Sequence, residues 1–291
     1  MAAGARPRLL VTGATGYLGR RLVPLAAGRA EVVAASRTGA AVSGARPMAL
    51  DLTDADSVAA ALAALRPDAV VHAAAANPGA EPRRFGEVNV AGTAALARAV
   101  AGLGPRCRLV SVSTDVVHDG RSAPYADDAP ARPLSAYGRS KAEGESVVLA
   151  ACPGAAVVRT SLVYDLDEID RGTAGFAAAL ARGEAPTLFG DVWRQPVWAH
   201  SLADALVDLA LSRPEVAGLA NVAGRQVLSR AGFGLRLLEH WQVAGRERAV
   251  EGSAAGVSEV PLDLRLRLDR ADALGYQLPG VDTVLLAARR R

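Results

Sequence analysis

Lysine is nearly missing from this 291-residue chain: of its 33 basic residues, Lys141 alone is not an arginine. Cysteine is almost as scarce. Cys107 and Cys152 give no disulfide framework and no metal-ligand spacing, so buried thiols in a reducing cytoplasm are expected. His72, His118, His200 and His240 are scattered, which excludes a histidine ligand cluster. The composition is 51 % apolar, yet no uninterrupted apolar run approaches the length that crosses a bilayer. Residues 1–7 lack the apolar core of a signal peptide, and a cytoplasmic location is expected. A net charge of +3 without a basic run points away from nucleic acid and membrane partners and suits an anionic small ligand. The length allows one large domain or two small ones.

The lysine that is present follows Tyr137 by four residues, in Tyr137-Gly138-Arg139-Ser140-Lys141. At helical spacing, positions i and i+4 share a face, so phenol and ammonium can act together. A compact ammonium is not interchangeable with a planar guanidinium. A nearby positive charge favours phenolate and makes the tyrosine a usable proton donor near neutral pH. The pair is common by chance, and its weight depends on what accompanies it.

Near the N-terminus, an apolar strand at residues 8–11 runs into Thr12-Gly13-Ala14-Thr15-Gly16-Tyr17-Leu18-Gly19, and a helical stretch follows at 20–27. Strand, glycine turn and helix in that order form a pyrophosphate cradle, with Gly13, Thr15, Gly16, Tyr17, Leu18 and Gly19 as its candidate residues. The second strand, at 31–35, ends in Ser36-Arg37-Thr38 with no acid. A carboxylate there would hold a ribose 2′-hydroxyl and repel a 2′-phosphate. Its absence predicts NADPH (NADP+) over NADH, with Arg37 on the 2′-phosphate and Ser36 assisting.

Strands continue to alternate with helices, which predicts an α/β fold with a doubly wound parallel sheet. Strands are expected at 46–50, 68–75, 107–113 and 155–164. Helices are expected at 53–65, capped by Thr53, and at 85–102 and 135–151. The small residues Ala73, Ala74 and Ala75 leave room for a flat cofactor. Beyond 164 the alternation weakens, with helices expected at 173–181, 201–211 and 229–241. The expected division is a Rossmann-like NADP-binding domain over 1–164, taking in about 195–212, and a smaller mixed substrate lobe over 165–291. Ser111-Val112-Ser113-Thr114-Asp115 closes the fifth sheet strand at its C-terminal end, the edge where such sheets bind ligands. A hydroxyl there suits a substrate carbonyl that Tyr137 protonates.

Taken together, these motifs resemble the extended short-chain dehydrogenases/reductases, and within them the dTDP-4-dehydrorhamnose reductase branch of sugar-nucleotide reductases. The resemblance runs through Gly13-x-x-Gly16-x-x-Gly19, Asn89-Val90-x-Gly92-Thr93, and Ser113-Thr114-Asp115-Val116-Val117-x-Asp119-Gly120. It continues through Tyr137-Gly138-x-Ser140-Lys141-x-x-Gly144-Glu145, Arg159-Thr160-Ser161 and Gln195-Pro196-Val197. It implies hydride delivery from NADPH to a ketone, with Tyr137 as acid, Thr114 orienting the oxygen and Lys141 holding the nicotinamide ribose. Asp51 and Leu52 would flank the adenine, while Ser113 and Ala73 to Ala75 would line the cofactor cleft. Asn89 is expected to bond backbone between elements.

Two positions depart from the branch. Leu162 stands where a sugar-contacting tryptophan is usual, and Ala76-Asn77-Pro78-Gly79-Ala80 replaces an acidic segment. Leu162, Trp193, Arg194 and Gln195 are the candidate substrate contacts. The favoured substrate is a nucleoside-diphosphate 4-keto-6-deoxy sugar, with another secondary-metabolite ketone next. A nucleotide-sugar epimerase and a non-catalytic NADP-binding regulatory subunit are the rival readings, and a homodimer is allowed for.

Overall fold

The computed structural model describes residues 6–290; most of the 1–7 segment therefore lies outside the described residues. The chain forms two compact units. One contains Met1–Thr114, Ala136–Arg159 and Ala203–Ala220, and the other Asp115–Ser135, Thr160–Leu202 and Asn221–Arg291. The expected division gave the first domain 1–164 together with about 195–212. The observed units interleave instead, with 115–135 and 160–164 in the second unit and 203–220 in the first.

In the first unit, β1 (Arg8–Thr12) leads through the glycine turn to α1 (Gly19–Ala27), then β2 (Glu31–Ser36) and β3 (Arg46–Ala49). Next come α2 (Ala55–Leu65), β4 (Ala69–His72), the short α3 (Pro82–Arg84), a π-helical stretch at Phe85–Gly92, and α4 (Thr93–Gly102). β5 (Arg108–Thr114), α5 (Ala136–Ala151) and β6 (Ala156–Thr160) complete the series. The seven-stranded sheet has the order Gly218–Asn221, β6, β5, β4, β1, β2, β3. β1 pairs parallel with both β2 and β4, β2 with β3, and β4 with β5. Strand order reverses between β1 and β4, so the crevice for a ligand opens at their C-terminal ends.

Both sheet faces are buried, so the strands are apolar throughout rather than alternating. Leu10, Val33, Val70, Leu109 and Val157 pack on one face against Val58 and Leu62 of α2, Leu96 and Val100 of α4, and Val148 of α5. The intervening Leu9, Val11, Val32, Val71 and Val110 serve the other face and are equally buried. Cys107 and Cys152 are free, half-buried thiols.

The second unit carries three two-stranded sheets. Val163–Tyr164 pairs with Val197–Trp198, Leu228–Ser229 with Trp193–Arg194, and Val250–Gly252 with Thr187–Phe189. Its helices include Arg171–Ala181 and Arg230–His240. Its core gathers Tyr164, Phe233, Leu237, Val281 and Val284.

Three boundaries differ from expectation. β4 ends at His72 because its partner β1 turns away after Thr12; the last bond, Ala73 N–H to the Thr12 carbonyl, leaves 73–75 as irregular backbone. The apolar run 155–164 is two strands in different sheets, since β6 stops at Thr160 and Val163–Tyr164 pairs elsewhere. Helix α2 is capped by Asp54, not Thr53. Thr53 gives both its N–H and its hydroxyl to Asp51 Oδ1, at 2.9 and 2.8 Å, while Asp54 Oδ1 accepts the Ser57 N–H at 3.0 Å. Asp54→Ala is therefore expected to cost about 1 kcal/mol of stability in urea unfolding, and Thr53→Ala less than about 0.5 kcal/mol.

Candidate active site

The glycine turn is shaped by crowding of backbone on backbone. Gly13 has φ +71°, and a Cβ there would lie 2.6 Å from the Ala74 nitrogen; at Gly19 it would lie 2.3 Å from the Gly13 carbonyl oxygen. Glycine alone permits both the left-handed conformation and the contact. The irregular 73–75 segment is thereby laid directly beside the turn. Helix α1 begins with no acidic residue in its first turn and no side-chain cap, so its positive end is left to an external anion. Thr15, Tyr17 and Leu18 are half-buried around this opening.

At the end of β2 the Ser36 hydroxyl is buried and accepts the Ala40 N–H at 3.2 Å, whereas Arg37 is exposed. Asp51 is close enough to Arg37 to feel its charge, but its carboxyl is held low chiefly by the Thr53 N–H and hydroxyl, with Arg84 and Arg37 adding to this. Asp51 is thus committed to Thr53, while Arg37 projects into solvent. Leu52, next along, is buried.

Tyr137 and Lys141 lie one turn apart on α5, which packs along β5, the strand that ends in Thr114. The Lys141 ammonium, 8 % exposed, donates to the Val112 carbonyl at 2.8 Å, two residues before Thr114. Burial draws Lys141 down to about 8, against a smaller opposing effect of Glu145. Tyr137 sits one turn earlier on α5, its ring edge-on to Phe85 with centroids 5.9 Å apart. Ser113 does not present a free hydroxyl to a ligand: it donates to Glu145 Oε1 at 2.6 Å.

Two neighbours, Glu145 and His72, had not been assigned roles from sequence. Glu145 forms a buried ion pair with Arg159, at 2.7 Å. It follows Lys141 by four residues, the same spacing that marked Tyr137 and Lys141, so the signal was present in the chain. His72, fully buried, links Thr12 through Nδ1 (2.7 Å) and Thr93 through Nε2 (3.0 Å). Burial, aided by Lys141, lowers it to about 3, so it bridges β1 and α4 as a neutral ring. Its tether to Thr12 fixes the residue before Gly13. Asn89 bonds backbone as expected: its amide accepts the Ala76 N–H (2.8 Å) and donates to the Ala76 carbonyl (3.0 Å) and Ser140 Oγ (3.0 Å). A Cβ on Gly144 would meet the Asn89 carbonyl at 2.8 Å, which explains the glycine on α5 there.

In the second unit the candidate substrate contacts separate. Trp193 is 43 % exposed. Arg194 is buried, its fork donating to both carboxylate oxygens of Asp115, at 2.8 and 2.5 Å. Gln195 is also buried, and its side-chain oxygen accepts the Leu266 N–H. Leu162 packs against the Tyr164 and Phe233 cluster. Arg194 and Gln195 have structural partners, and Trp193 alone of the four faces solvent. No helix among the described residues is long and apolar enough to cross a membrane, and no His/Cys/Asp/Glu group there is arranged to hold a metal.

A doubly wound sheet with a glycine turn at its switch point, and a Tyr-x-x-x-Lys helix packed along β5, defines a nucleotide-binding protein of the extended short-chain dehydrogenase/reductase type. The family model described as the RmlD substrate binding domain matches residues 7–263. A dTDP-4-dehydrorhamnose reductase of Streptomyces griseus is 38 % identical over 231 residues, covering 74 % of this chain and 68 % of that protein. Methionine adenosyltransferase 2 subunit beta of Xenopus tropicalis is 27 % identical, covering 92 % of this chain and 82 % of that protein. The crystal structure of dTDP-4-dehydrorhamnose reductase from Bacillus anthracis in complex with NADP superposes with a TM-score of 0.79, at 21 % identity over 97 % of each chain. The chain belongs to the RmlD substrate-binding-domain family.

The turn geometry predicts that Gly13→Ala lowers stability by more than about 2 kcal/mol, through positive-φ strain and collision with Ala74. Gly86→Ala, where a Cβ meets nothing within 4 Å, is expected to change it by less than about 1 kcal/mol. Thermal melting of the two variants side by side checks this.

Proposed function

We propose that this protein is an NADPH-dependent ketoreductase acting on a nucleoside-diphosphate 6-deoxy sugar, with the 4-keto group as the group reduced. One observation carries the reading: a nearly dry ammonium, Lys141, lies one helical turn from Tyr137 and is tethered to the strand that ends in Thr114. Binding a nucleotide does not need this proton-handling arrangement, and carbonyl reduction does. The 38 % identity to a dTDP-4-dehydrorhamnose reductase supports the same chemistry and substrate class.

The residues present fit a bound dinucleotide. The Gly13 turn, which a Cβ would fill, and the uncapped start of α1 suit a pyrophosphate. The exposed Arg37 suits a 2′-phosphate; Ser36, its hydroxyl already taken by Ala40, would assist only as a donor. Asp51 and Leu52 border the adenine position, and Ala73 to Ala75 line the cleft. When bound, the nicotinamide supplies the hydride that the carbonyl carbon accepts.

Tyr137 gives its phenolic proton to the carbonyl oxygen as negative charge develops there. Thr114 donates a hydrogen bond to the same oxygen and fixes its direction. Lys141, by its charge, stabilises the tyrosinate left behind, and its remaining N–H groups are placed for the nicotinamide ribose. Of the candidate substrate contacts, Trp193 is the exposed one. The reaction is placed in the cytoplasm. A regulatory, cofactor-holding role is the alternative, motivated by the 27 % identity to a methionine adenosyltransferase subunit.

Following NADPH absorbance with a panel of nucleoside-diphosphate 4-keto-6-deoxy sugars tests the proposal. Turnover is expected, and Tyr137→Phe is expected to reduce it by about 100-fold or more while NADPH binding persists. Tight NADPH binding with no turnover on any ketone would leave the regulatory role standing. In the same assay Arg37→Ala should weaken NADPH binding about tenfold or more and leave NADH binding unchanged. A preference for NADPH that survives the substitution would remove Arg37 from the 2′-phosphate.

A further inference from the structure

One further turn along α5 from Lys141 stands Glu145, a carboxylate 6 % exposed that the reaction as described does not use. Oε1 accepts from Ser113 Oγ at 2.6 Å and from Arg159 Nε at 3.0 Å, and Oε2 accepts from the Arg159 guanidinium at 2.7 Å. Val112, Ser113 and Thr114 are consecutive on β5. Helix α5 therefore grips this strand end twice, with Lys141 on the Val112 carbonyl and Glu145 on the Ser113 hydroxyl. Thr114 is the next residue.

The surroundings of the ammonium are otherwise unfavourable to charge. From β4 comes the neutral ring of His72, and from α5 itself the phenol of Tyr137 one turn back. From β6 comes a second cation, Arg159, whose fork is spent on Glu145. Burial lowers the lysine to about 8 from its ordinary value of 10.5, and Glu145 is the group that opposes the fall. Its carboxylate is paired with the Arg159 guanidinium and accepts the Ser113 hydroxyl.

We propose that Glu145 is a positioning residue for the reaction: held by Arg159 and Ser113, its buried carboxylate sustains the Lys141 ammonium and fixes the strand end that carries Thr114. The proposal rests on the ketoreductase reading for its catalytic consequence, but the effect on Lys141 is measurable without any substrate. Because the chain has a single lysine, protein labelled with 13C at the lysine ε-carbon gives one NMR signal, and its titration reports Lys141 alone.

In the unmodified protein the midpoint is expected near 8. In Glu145→Gln, which keeps the side chain's shape and a hydrogen bond to Ser113, it is expected at least about one pH unit lower, roughly tenfold in the dissociation constant. An unchanged midpoint overturns the proposal. Should the lone buried Arg159 prevent folding, Glu145→Gln with Arg159→Gln is titrated against Arg159→Gln alone; a lower midpoint in the double variant supports the assignment, and equal midpoints overturn it.

In turnover, the ammonium form is lost as pH rises through the lysine midpoint, so the deficit of Glu145→Gln must deepen with pH. For a one-unit shift it is about fivefold larger at pH 8 than at pH 6. A deficit constant across that range means a structural role only. If the unmodified protein reduces no keto-sugar, the ketoreductase reading fails while the NMR titration still decides the role of Glu145.

Discussion

The candidate site depends on keeping one positive charge in a nearly dry interior. An ammonium removed from water is strongly disfavoured unless its donors and its field are both satisfied. Lys141 meets the first need with the Val112 carbonyl and the second with Glu145. Both partners lie where α5 meets β5, so the bonds that make the charge tolerable also align the helix carrying Tyr137 with the strand carrying Thr114. Glu145 in turn is paired with Arg159, a β6 residue that is 2 % exposed. The proton-handling groups and the sheet are held together by the same short chain of contacts.

A second constraint acts at the switch point between β1 and β4, and it is steric. Backbone passes so near backbone at Gly13 and Ala74 that no side-chain carbon fits. The neutral His72 bridge, anchored on Thr12, sets where β1 stops and the turn begins. Its low basicity matters, because a second cation beside Lys141 would work against the ammonium. Burial silences the imidazole, so His72 adds no positive charge beside Lys141.

Much of this was legible in the chain. The β1–turn–α1 unit, the parallel order of the sheet and the placing of Tyr137 and Lys141 on one helix follow from periodicity and spacing, which are local signals. What failed to show was non-local. The run 155–164 is apolar at both ends of Arg159-Thr160-Ser161, and those three polar residues do not by themselves show that the chain leaves the large sheet at Thr160. Thr53 and Asp54 are both good caps, and only the prior claim of Asp51 on Thr53 decides between them. Arg194 reads as a substrate contact until its partner, Asp115, is brought to it from 79 residues away. Glu145 was visible by spacing, yet its meaning required Ser113 and Arg159 to be placed in space.

The near-absence of lysine acquires a physical sense from these partners. Arg159 and Arg194 each grip a buried carboxylate with two parallel donors, and Arg108 donates to the carbonyls of Leu209, Gly154 and Val216. These tasks need a planar fork that stays charged wherever it is put. The position beside Tyr137 needs the opposite: a compact charge that one carbonyl can hold, on a group whose basicity the interior can bring close to that of the working medium. A guanidinium, still fully protonated above pH 12, does not respond to burial in that way. Arginine serves this protein where a charge must be permanent, and lysine appears at the one position where the surroundings set the charge.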